Sequence, residues 1–528
     1  MSPWWQSAVV YQIYPRSLKD ADGDGVGDLR GIIEKLDYFT WLGVNALWIS
    51  PIMRSPMVDF GYDVSDYQAI DPLFGTLADF DTLLAEAHAR GLKIILDLVP
   101  NHTSDQHAWF QEARASRENP KRDWYIWREP AADGGPPNNW KSYFGGPAWT
   151  LDAATGQYYL HNFAAGQPEL NYRNPAVREA MFDQISFWLD RGVDGFRIDV
   201  IDRMMKHPDF PDNPPDPNWK PGDADAWQFR RVYSENQDGI HELIADMGAV
   251  FRAYSDRVSI GEIAYSSDPA FITRFAGTPD KPQIDLPFNF APLMLPWNAS
   301  AFRGFVDAYD AAVPAHSFPN YVLGNHDQQR LASRLGTAQA RCAAVMLFTL
   351  RGVPFMYQGE ELGLTDGEVA PEQYRDPQGI NMGNSRDFCR TPFHWDGSPG
   401  AGFTTSDAPW LPIASNAPEL NVETEKGDAY SVLRLYRLLL TLRRVIPALT
   451  TGTYRSYDAP DDVFLYEREA GESRVVVALN FGAEPRTVLL PPYSARLHVL
   501  ASSYSDQDAL PAVGETIALR PFEGVVIG

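Results

Sequence analysis

The chain alternates, eight times over, between a short apolar run and an amphipathic stretch, and few architectures absorb that pattern. The runs are "VVYQIYP" (9–15), "ALWISP" (46–51), "KIILDLVPN" (93–101), "DGFRIDV" (194–200), "VSIGEI" (258–263), "QIDLPFNF" (283–290), "NYVLGNHD" (320–327) and "VPFMYQGE" (353–360). They are largely apolar rather than apolar at every second residue, which marks strands of a parallel sheet covered on both faces. Helical stretches at 28–43, 76–91, 175–192, 239–255, 269–277, 299–313, 337–351 and 429–447 complete the pattern. In the first, Leu29, Ile32, Ile33, Leu36 and Leu42 form one apolar stripe. Eight strand–helix units closing on themselves make a (β/α)8 TIM barrel, an α/β fold; a doubly wound open sheet is the alternative for the same alternation.

Two interruptions are too long to be simple connections. Residues 102–170 follow the third strand with five tryptophans (Trp109, Trp124, Trp127, Trp140, Trp149) and read as an inserted domain B. Residues 364–428 follow the eighth strand and are rich in Pro, Gly, Asn and Asp. Both leave at strand C-termini, the face where barrels carry their sites, and loops of such length are commonly functional. From 451 the period changes: "VFLYEREAGESRVVVALNF" reads as a hairpin turning at Gly471, so 451–528 is expected to be a C-terminal antiparallel β-sandwich. The catalytic barrel would then comprise 1–101 and 171–450.

With 528 residues the chain exceeds one ordinary core. Its composition, 44% hydrophobic and 22% charged, is that of a soluble globular protein, and its formal charge of −24 argues against nucleic acid or an anionic membrane as partner. No run of eighteen apolar residues suggests a span, and "MSPWWQSAVV" has no basic n-region, so a cytoplasmic location is expected. Two cysteines, Cys342 and Cys389, argue against a disulfide scaffold. Aromatic residues make up 13%, many outside the expected core, which suits flat, polar-rimmed ligands.

Polar residues gather where the strands end. "LDLVPNH" supplies Asp97, Asn101 and His102; "GFRIDV" supplies Arg197 and Asp199, which at i and i+2 share one side of a strand; "GEI" supplies Glu262; "NHD" supplies His326 and Asp327. Singly, each carboxylate could be a cap or a turn residue, and Arg197 could merely neutralise Asp199. Together they place several carboxylates on one rim, a costly arrangement without a function. One ionised carboxylate beside an arginine plus one that can hold a proton suits glycoside cleavage through an oxocarbenium-like transition state. No histidine pair with metal-ligand spacing, Gly-x-Ser-x-Gly elbow, P-loop or dinucleotide fingerprint is present.

Residues 20–28, "DADGDGVGD", look like a calcium loop, with Asp20, Asp22, Asp24 and Gly25 spaced as in an EF-hand. Gly31 stands where that loop needs a bidentate Glu, and a strand rather than a helix precedes it, so a signalling EF-hand is excluded. Asp20, Asp22, Asp24, the Val26 carbonyl and Asp28 could still cage one hard cation; a solvated acidic turn is the other reading.

"DLVPNH", "GFRIDV", "GEI" and "NHD", in this order, resemble the signature regions of the α-amylase superfamily, glycoside hydrolase family 13, over the whole chain. "QPELNY" (167–172) and "GVPFMYQGEE" (352–361) resemble two further family regions, and the N-terminal stretch with "RTPFHW" (390–395) resembles the α-glucosidase and oligo-1,6-glucosidase group. The resemblance implies a retaining mechanism with no catalytic cofactor. Asp199 would be the nucleophile, aimed by Arg197. Glu262 would be the general acid and then the base. Asp327 with His326 would hold the 2- and 3-hydroxyls. Asp59 and Tyr62 of "DFGYD" would close the glucose pocket, with His102, Gln167 and Arg390 as further contacts and Phe144 and Phe163 as an aromatic wall. The 20–28 loop would hold structural Ca²⁺ or Mg²⁺ as a brace. The implied partner is a small oligosaccharide or disaccharide, acted on by a monomer or homodimer.

Val200, next to the nucleophile, resembles the α-1,6-preferring members, although a valine there could be a plain strand-core residue. Glu169, Tyr172, Phe393 and His394 depart from the common pattern and are expected near the aglycone side. A sucrose- or trehalose-type transferase or isomerase would use the same three carboxylates. A non-catalytic barrel would be expected to have lost carboxylates, and an endo-amylase would need an open cleft. The expectation is therefore an exo-acting α-glucosidase with transglycosylation as a side activity.

Overall fold

The computed structural model describes residues 3–493, 497–504 and 512–528; parts of the expected C-terminal unit, 494–496 and 505–511, lie outside them. The eight expected strands all form: β1 Val10–Ile13, β2 Ala46–Ile49, β3 Lys93–Leu98, β4 Gly195–Ile198, β5 Val258–Gly261, β6 Leu286–Pro287, β7 Asn320–Val322 and β8 Val353–Tyr357. They make one parallel sheet in the order β6-β5-β4-β3-β2-β1-β8-β7. The continuous apolar runs divide by alternation. Val10, Trp48, Ile95, Ile260, Val322 and Phe355 fill the interior of the sheet, while Tyr11, Leu47, Leu96, Phe196 and Ile198 face the surrounding helices.

No backbone ladder joins β6 to β7 among the described residues; two buried asparagines close the seam instead. Asn289 N–H donates to Asn320 Oδ1 (2.9 Å), Asn289 Nδ2 to the Asn320 carbonyl (3.1 Å), and Asn320 Nδ2 to the Pro287 carbonyl (2.7 Å). Pro287 has no N–H for a ladder, and side-chain amides, which carry both a donor and an acceptor, take its place.

Helices sit where periodicity put them, with two divided: the stretch 28–43 forms Leu29–Glu34 and Leu36–Leu42, and 269–277 forms an α-helix Pro269–Thr273 and a 3-10 turn Arg274–Ala276. Local sequence sets their ends. Thr76 and Asp79 form a capping box before Leu77–Ala89, and Pro175–Arg191 starts after Asn174 with Pro at its first position and stops at the left-handed Gly192. Between β3 and β4, three short antiparallel strands (Trp127–Arg128, Trp149–Asp152, Gln157–Leu160) surround a small core that includes Trp140 and Trp149. Most tryptophans of this segment are therefore packing residues, not ligand faces. The C-terminal region forms a six-stranded antiparallel sheet and a two-stranded one around a shared apolar cluster, with the hairpin Val463–Ala470/Ser473–Asn480 turning through Gly471 (φ 60°). A further excursion, residues 207–238 after β4, carries little regular structure; its Pro/Asp-rich stretch "DNPPDPNWKPGD" marks it in the sequence.

Candidate active site

At the carboxyl ends of the strands the backbone pairing runs past the ladder. Asp199 N–H donates to the Leu98 carbonyl (2.8 Å), Glu262 N–H to Ile198 (2.8 Å) and Ile201 N–H to Glu262 (2.9 Å). These bonds fix the last residues of β3, β4 and β5 relative to one another, so Asp199 and Glu262 enter one cavity from adjacent strands. Val200 between them is not a strand-core residue: it lies beyond β4, lines the cavity, and adopts a left-handed conformation (φ 39°, ψ 50°). That conformation costs a β-branched residue about 1–3 kcal/mol.

Arg197, 1% exposed, lies beneath the floor. Its Nη1 donates to Asp97 Oδ1 (2.8 Å) and Asp199 Oδ1 (2.9 Å), and its Nη2 donates to Glu262. One cation thus serves three carboxylates. Burial and the Glu262 charge push the Asp199 carboxyl up, against the pull of Arg197. Burial likewise pushes Asp97 up to about 6, with Arg197 opposing. Arg197 therefore aims Asp199 while sharing its charge among three carboxylates.

The cavity encloses about 470 Å³. Asp59, Tyr62, His102, Phe144, Phe163, Asp199, Val200, Glu262 and Asp327 line it, nine of the thirteen expected catalytic and substrate residues. Tyr62 stacks on His326 (ring centroids 5.5 Å, 2° between planes), and its hydroxyl meets His326 Nε2 (2.7 Å) and donates to Asp97 Oδ2 (3.1 Å). Burial drives both His102 and His326 down to about 3, so both are neutral at ordinary pH. Burial would raise the Asp327 carboxyl, but His326, Arg386 and Arg390 overcome it and hold it well below the usual range.

The other four expected residues stand behind the wall. Gln167 is fully buried and donates to Asp59 Oδ2 (3.2 Å) and the Tyr62 carbonyl (3.2 Å). Arg197 and His326 act through the neighbours just named. Arg390, expected as a pocket contact, is 1% exposed; its Nε donates to the His326 carbonyl (2.7 Å) and its Nη2 to Asp327 Oδ1 (2.8 Å). The arginine at the closed end is Arg386, which donates to Asp59 (2.9 Å), Asp327 (3.2 Å) and Asp376 (2.6 Å). The two arginines flank a single 3-10 turn, Asp387–Cys389, in which residues four apart diverge by about 120° instead of sharing a face as on an α-helix. Only the turn type distinguishes them.

Glu169, Tyr172, Phe393 and His394, expected near the aglycone side, do not line this cavity. Glu169 pairs with Lys206, Tyr172 donates to the Pro100 carbonyl (2.6 Å), Phe393 packs on Tyr38 and Trp395, and His394 Nδ1 meets the Leu420 carbonyl (2.9 Å). The mouth is instead built by residues that sequence reasoning missed: Tyr143, Arg203, Trp227 from the 207–238 excursion, Tyr265, Leu293 and Met294, with Gln378, Met382 and Asn384 from the 364–428 loop. Trp227 and Met294 are each 53% exposed.

In the 20–28 loop, carboxylate oxygens of Asp20, Asp22 and Asp28 lie within 4.8 Å of one another, an all-oxygen set that fits a hard cation. Asp24 is not in this cluster; its Oδ1 accepts from Val26 N–H (2.8 Å). Asp20 also accepts from Gly23 N–H (2.7 Å), Gly25 N–H (2.8 Å) and Thr404 Oγ1 (2.5 Å), and Asp28 caps the following helix through Gly31 N–H (2.7 Å). The loop is tied to the 364–428 segment by the Thr404 bond and by Asp20 N–H, which donates to the Phe403 carbonyl (2.9 Å).

The profile of the family "Alpha amylase, catalytic domain" matches residues 12–452. The chain belongs to this family, glycoside hydrolase family 13, and is a glycosidase. It is 39% identical to an oligo-1,6-glucosidase of Heyndrickxia coagulans, over 100% of this chain and 99% of the relative. Among solved structures it is similar to the α-glucosyl transfer enzyme XgtA (TM-score 0.92, 41% identity, 100% of both chains). It is also similar to the trehalulose synthase MutB of Pseudomonas mesoacidophila MX-45 (TM-score 0.88, 37% identity, 100% of this chain and 99% of that one). No helix among the described residues is long and apolar enough to cross a membrane.

Proposed function

We propose that the protein is a retaining, exo-acting α-glucosidase that releases α-D-glucose from the non-reducing ends of short α-glucosides, isomaltose and isomalto-oligosaccharides first. The observation that carries this reading is Arg197 bridging Asp199 and Glu262 at the floor of the cavity. Two carboxylates on the two amino groups of one guanidinium are held close, as covalent retention requires; inversion needs a gap wide enough for water. Asp199 attacks C1 as the C1–O bond breaks, and Glu262 gives its proton to the leaving oxygen. Glu262 then takes a proton from water, the water oxygen bonds to C1, and Asp199 departs as a carboxylate.

Asp59, Arg386 and Asp327 form the closed end, which supports removal of one glucose at a time. Val200 beside Asp199 supports the α-1,6 preference. The 20–28 loop would hold structural Ca²⁺ or Mg²⁺ through Asp20, Asp22 and Asp28. The same reading takes 1–101 with 171–450 as the barrel, 102–170 as domain B and 451–528 as the C-terminal domain, in a cytoplasmic monomer or homodimer. Glucosyl transfer is the second reading, favoured by the apolar mouth of Trp227, Leu293 and Met294, on which an acceptor can displace water.

Initial rates of glucose release from isomaltose, maltose, trehalose and sucrose, with product analysis and Asp199→Asn as control, test both. Isomaltose ahead supports the reading. Isomerised or transferred sugar in excess of free glucose favours the second. Activity of Asp199→Asn above about one-thousandth of the parent moves the nucleophile elsewhere.

A further inference from the structure

A second cavity, of about 590 Å³, lies between the inserted segment and the excursion after β4. Lys206 on its wall donates to Asn101 Oδ1 (3.0 Å), and Asn101 in turn meets His102 Nδ1 (3.0 Å), so a buried partition separates it from the catalytic cavity. Its walls run against the charge of the whole molecule. Arg117, Arg122, Arg128, Arg173 and Lys206 face one acid, Asp123, in a chain of net charge −24.

Three of the five cations touch no carboxylate among the described residues; Asp152 and Glu129 act on Arg122, and Asp123 and Asp209 on Arg128, only at longer range. Arg117 pairs with Glu129 (2.9 Å) and Lys206 with Glu169. Arg122 bonds only to the Ala113 carbonyl (3.0 Å), Thr155 Oγ1 (3.0 Å) and Gln157 Oε1 (2.6 Å). Arg128 bonds to the Trp127 and Pro208 carbonyls (2.7 and 3.3 Å), and Arg173 to those of Lys206 and Asp238 (2.7 and 3.5 Å). None of the three forms an ion pair with a carboxylate among the described residues. Two lie over aromatic faces, Arg122 at 3.4 Å from the Trp127 ring centroid and Arg128 at 3.8 Å from that of Phe210. Trp127 is 7% exposed, and its indole N–H, like Arg122 Nε–H, is buried without an acceptor among the described residues.

Guanidinium groups gathered on one wall with no carboxylate in contact suit an anion. We propose that this cavity binds a phosphate ester of monosaccharide size. A phosphate dianion matches three guanidinium groups that no carboxylate touches and offers several oxygens to their forks. The volume falls in the range of small-molecule sites and fits a monosaccharide-sized ester.

The test is calorimetric titration of the full chain with glucose 6-phosphate, inorganic phosphate and glucose. Glucose 6-phosphate should bind once per chain, and inorganic phosphate should compete with it. Saturating the catalytic cavity with glucose should leave that binding intact. Arg128→Gln and Arg173→Gln should each weaken it about tenfold or more, the loss of one charge-assisted hydrogen bond. Displacement by glucose would put the ester in the catalytic cavity and overturn the proposal; so would equal affinity in folded variants, or no saturable binding up to about 10 mM. The competition with glucose uses only the unmodified chain, so it decides even where a variant fails to fold.

Discussion

Glu360 and Glu361 are adjacent and buried, yet only one is well partnered. Glu361 accepts from Tyr11 (2.7 Å), Tyr38 (2.9 Å) and Gly359 N–H (2.8 Å). Neither oxygen of Glu360 accepts a hydrogen bond from the described residues, and Oε1 stands 2.4 Å from where a Cβ on Gly324 would lie, against the segment leading to Asp327. Burial pushes its carboxyl from 4.5 up to about 8; Glu361 adds to this, while the Tyr357 backbone (short of hydrogen-bond geometry), Arg334 and Arg330 oppose it. A raised acid holds its proton in the fold where the unfolded chain has released it. The resulting destabilisation is absent below pH 4.5, grows by about 1.36 kcal/mol per pH unit, and levels off above pH 8 at about 5 kcal/mol. Glutamine keeps the shape and never ionises. Glu360→Gln should therefore be more stable than the parent by less than about 1 kcal/mol at pH 5, by about 3 at pH 7 and by about 5 at pH 9. Guanidinium unfolding of both proteins at the three pH values reads this directly. A difference that does not change with pH, or a variant less stable at pH 9, would refute the reasoning.

Arg386→Lys keeps the charge but loses the fork that spans Asp59, Asp327 and Asp376, and should lower kcat/KM for glucosides by about tenfold or more; unchanged kinetics would remove Arg386 from the closed end. Asn320→Ala orphans the buried Pro287 carbonyl and Asn289 N–H and should cost about 2–5 kcal/mol in denaturant unfolding. An unmoved midpoint would mean that other contacts close the barrel. If the proposed cation occupies the Asp20, Asp22 and Asp28 cluster, chelation should lower the thermal midpoint more than the glucosidase rate at 25 °C, because none of the three lines the catalytic cavity. Equal melting of metal-free and metal-loaded protein would make the loop a simple acidic turn.

Much of this site was legible because it is written in local pattern. Apolar runs of four to eight residues between amphipathic stretches specify β1 to β8 whatever lies elsewhere, and a polar residue just beyond such a run must emerge at a strand end. That Asp97, Asp199, Glu262 and Asp327 emerge at strand ends follows from that alone, and that Arg197 shares a side with Asp199 follows from the strand period. The choice of Asp199, Glu262 and Asp327 among them is what the resemblance to family 13 implies.

What remained illegible depends on contacts between distant segments or on turn geometry. The exclusion of Arg390 in favour of Arg386 rests on a 3-10 turn, and neither composition nor spacing distinguishes that turn from an α-helical one. The closing of β6 onto β7 rests on two asparagines 31 residues apart. Trp227 reaches the mouth from an excursion with no period to read, while Tyr172, Phe393 and His394 turn inward because burial next to available carbonyls and rings outweighs exposure at the rim. Sequence by itself determined the barrel and the carboxylates it carries, since each depends on a few consecutive residues. Only the tertiary structure decided which side chains line the cavity, since a rotation of about 120° within one turn, or one long-range hydrogen bond, reverses the answer at no visible change in sequence.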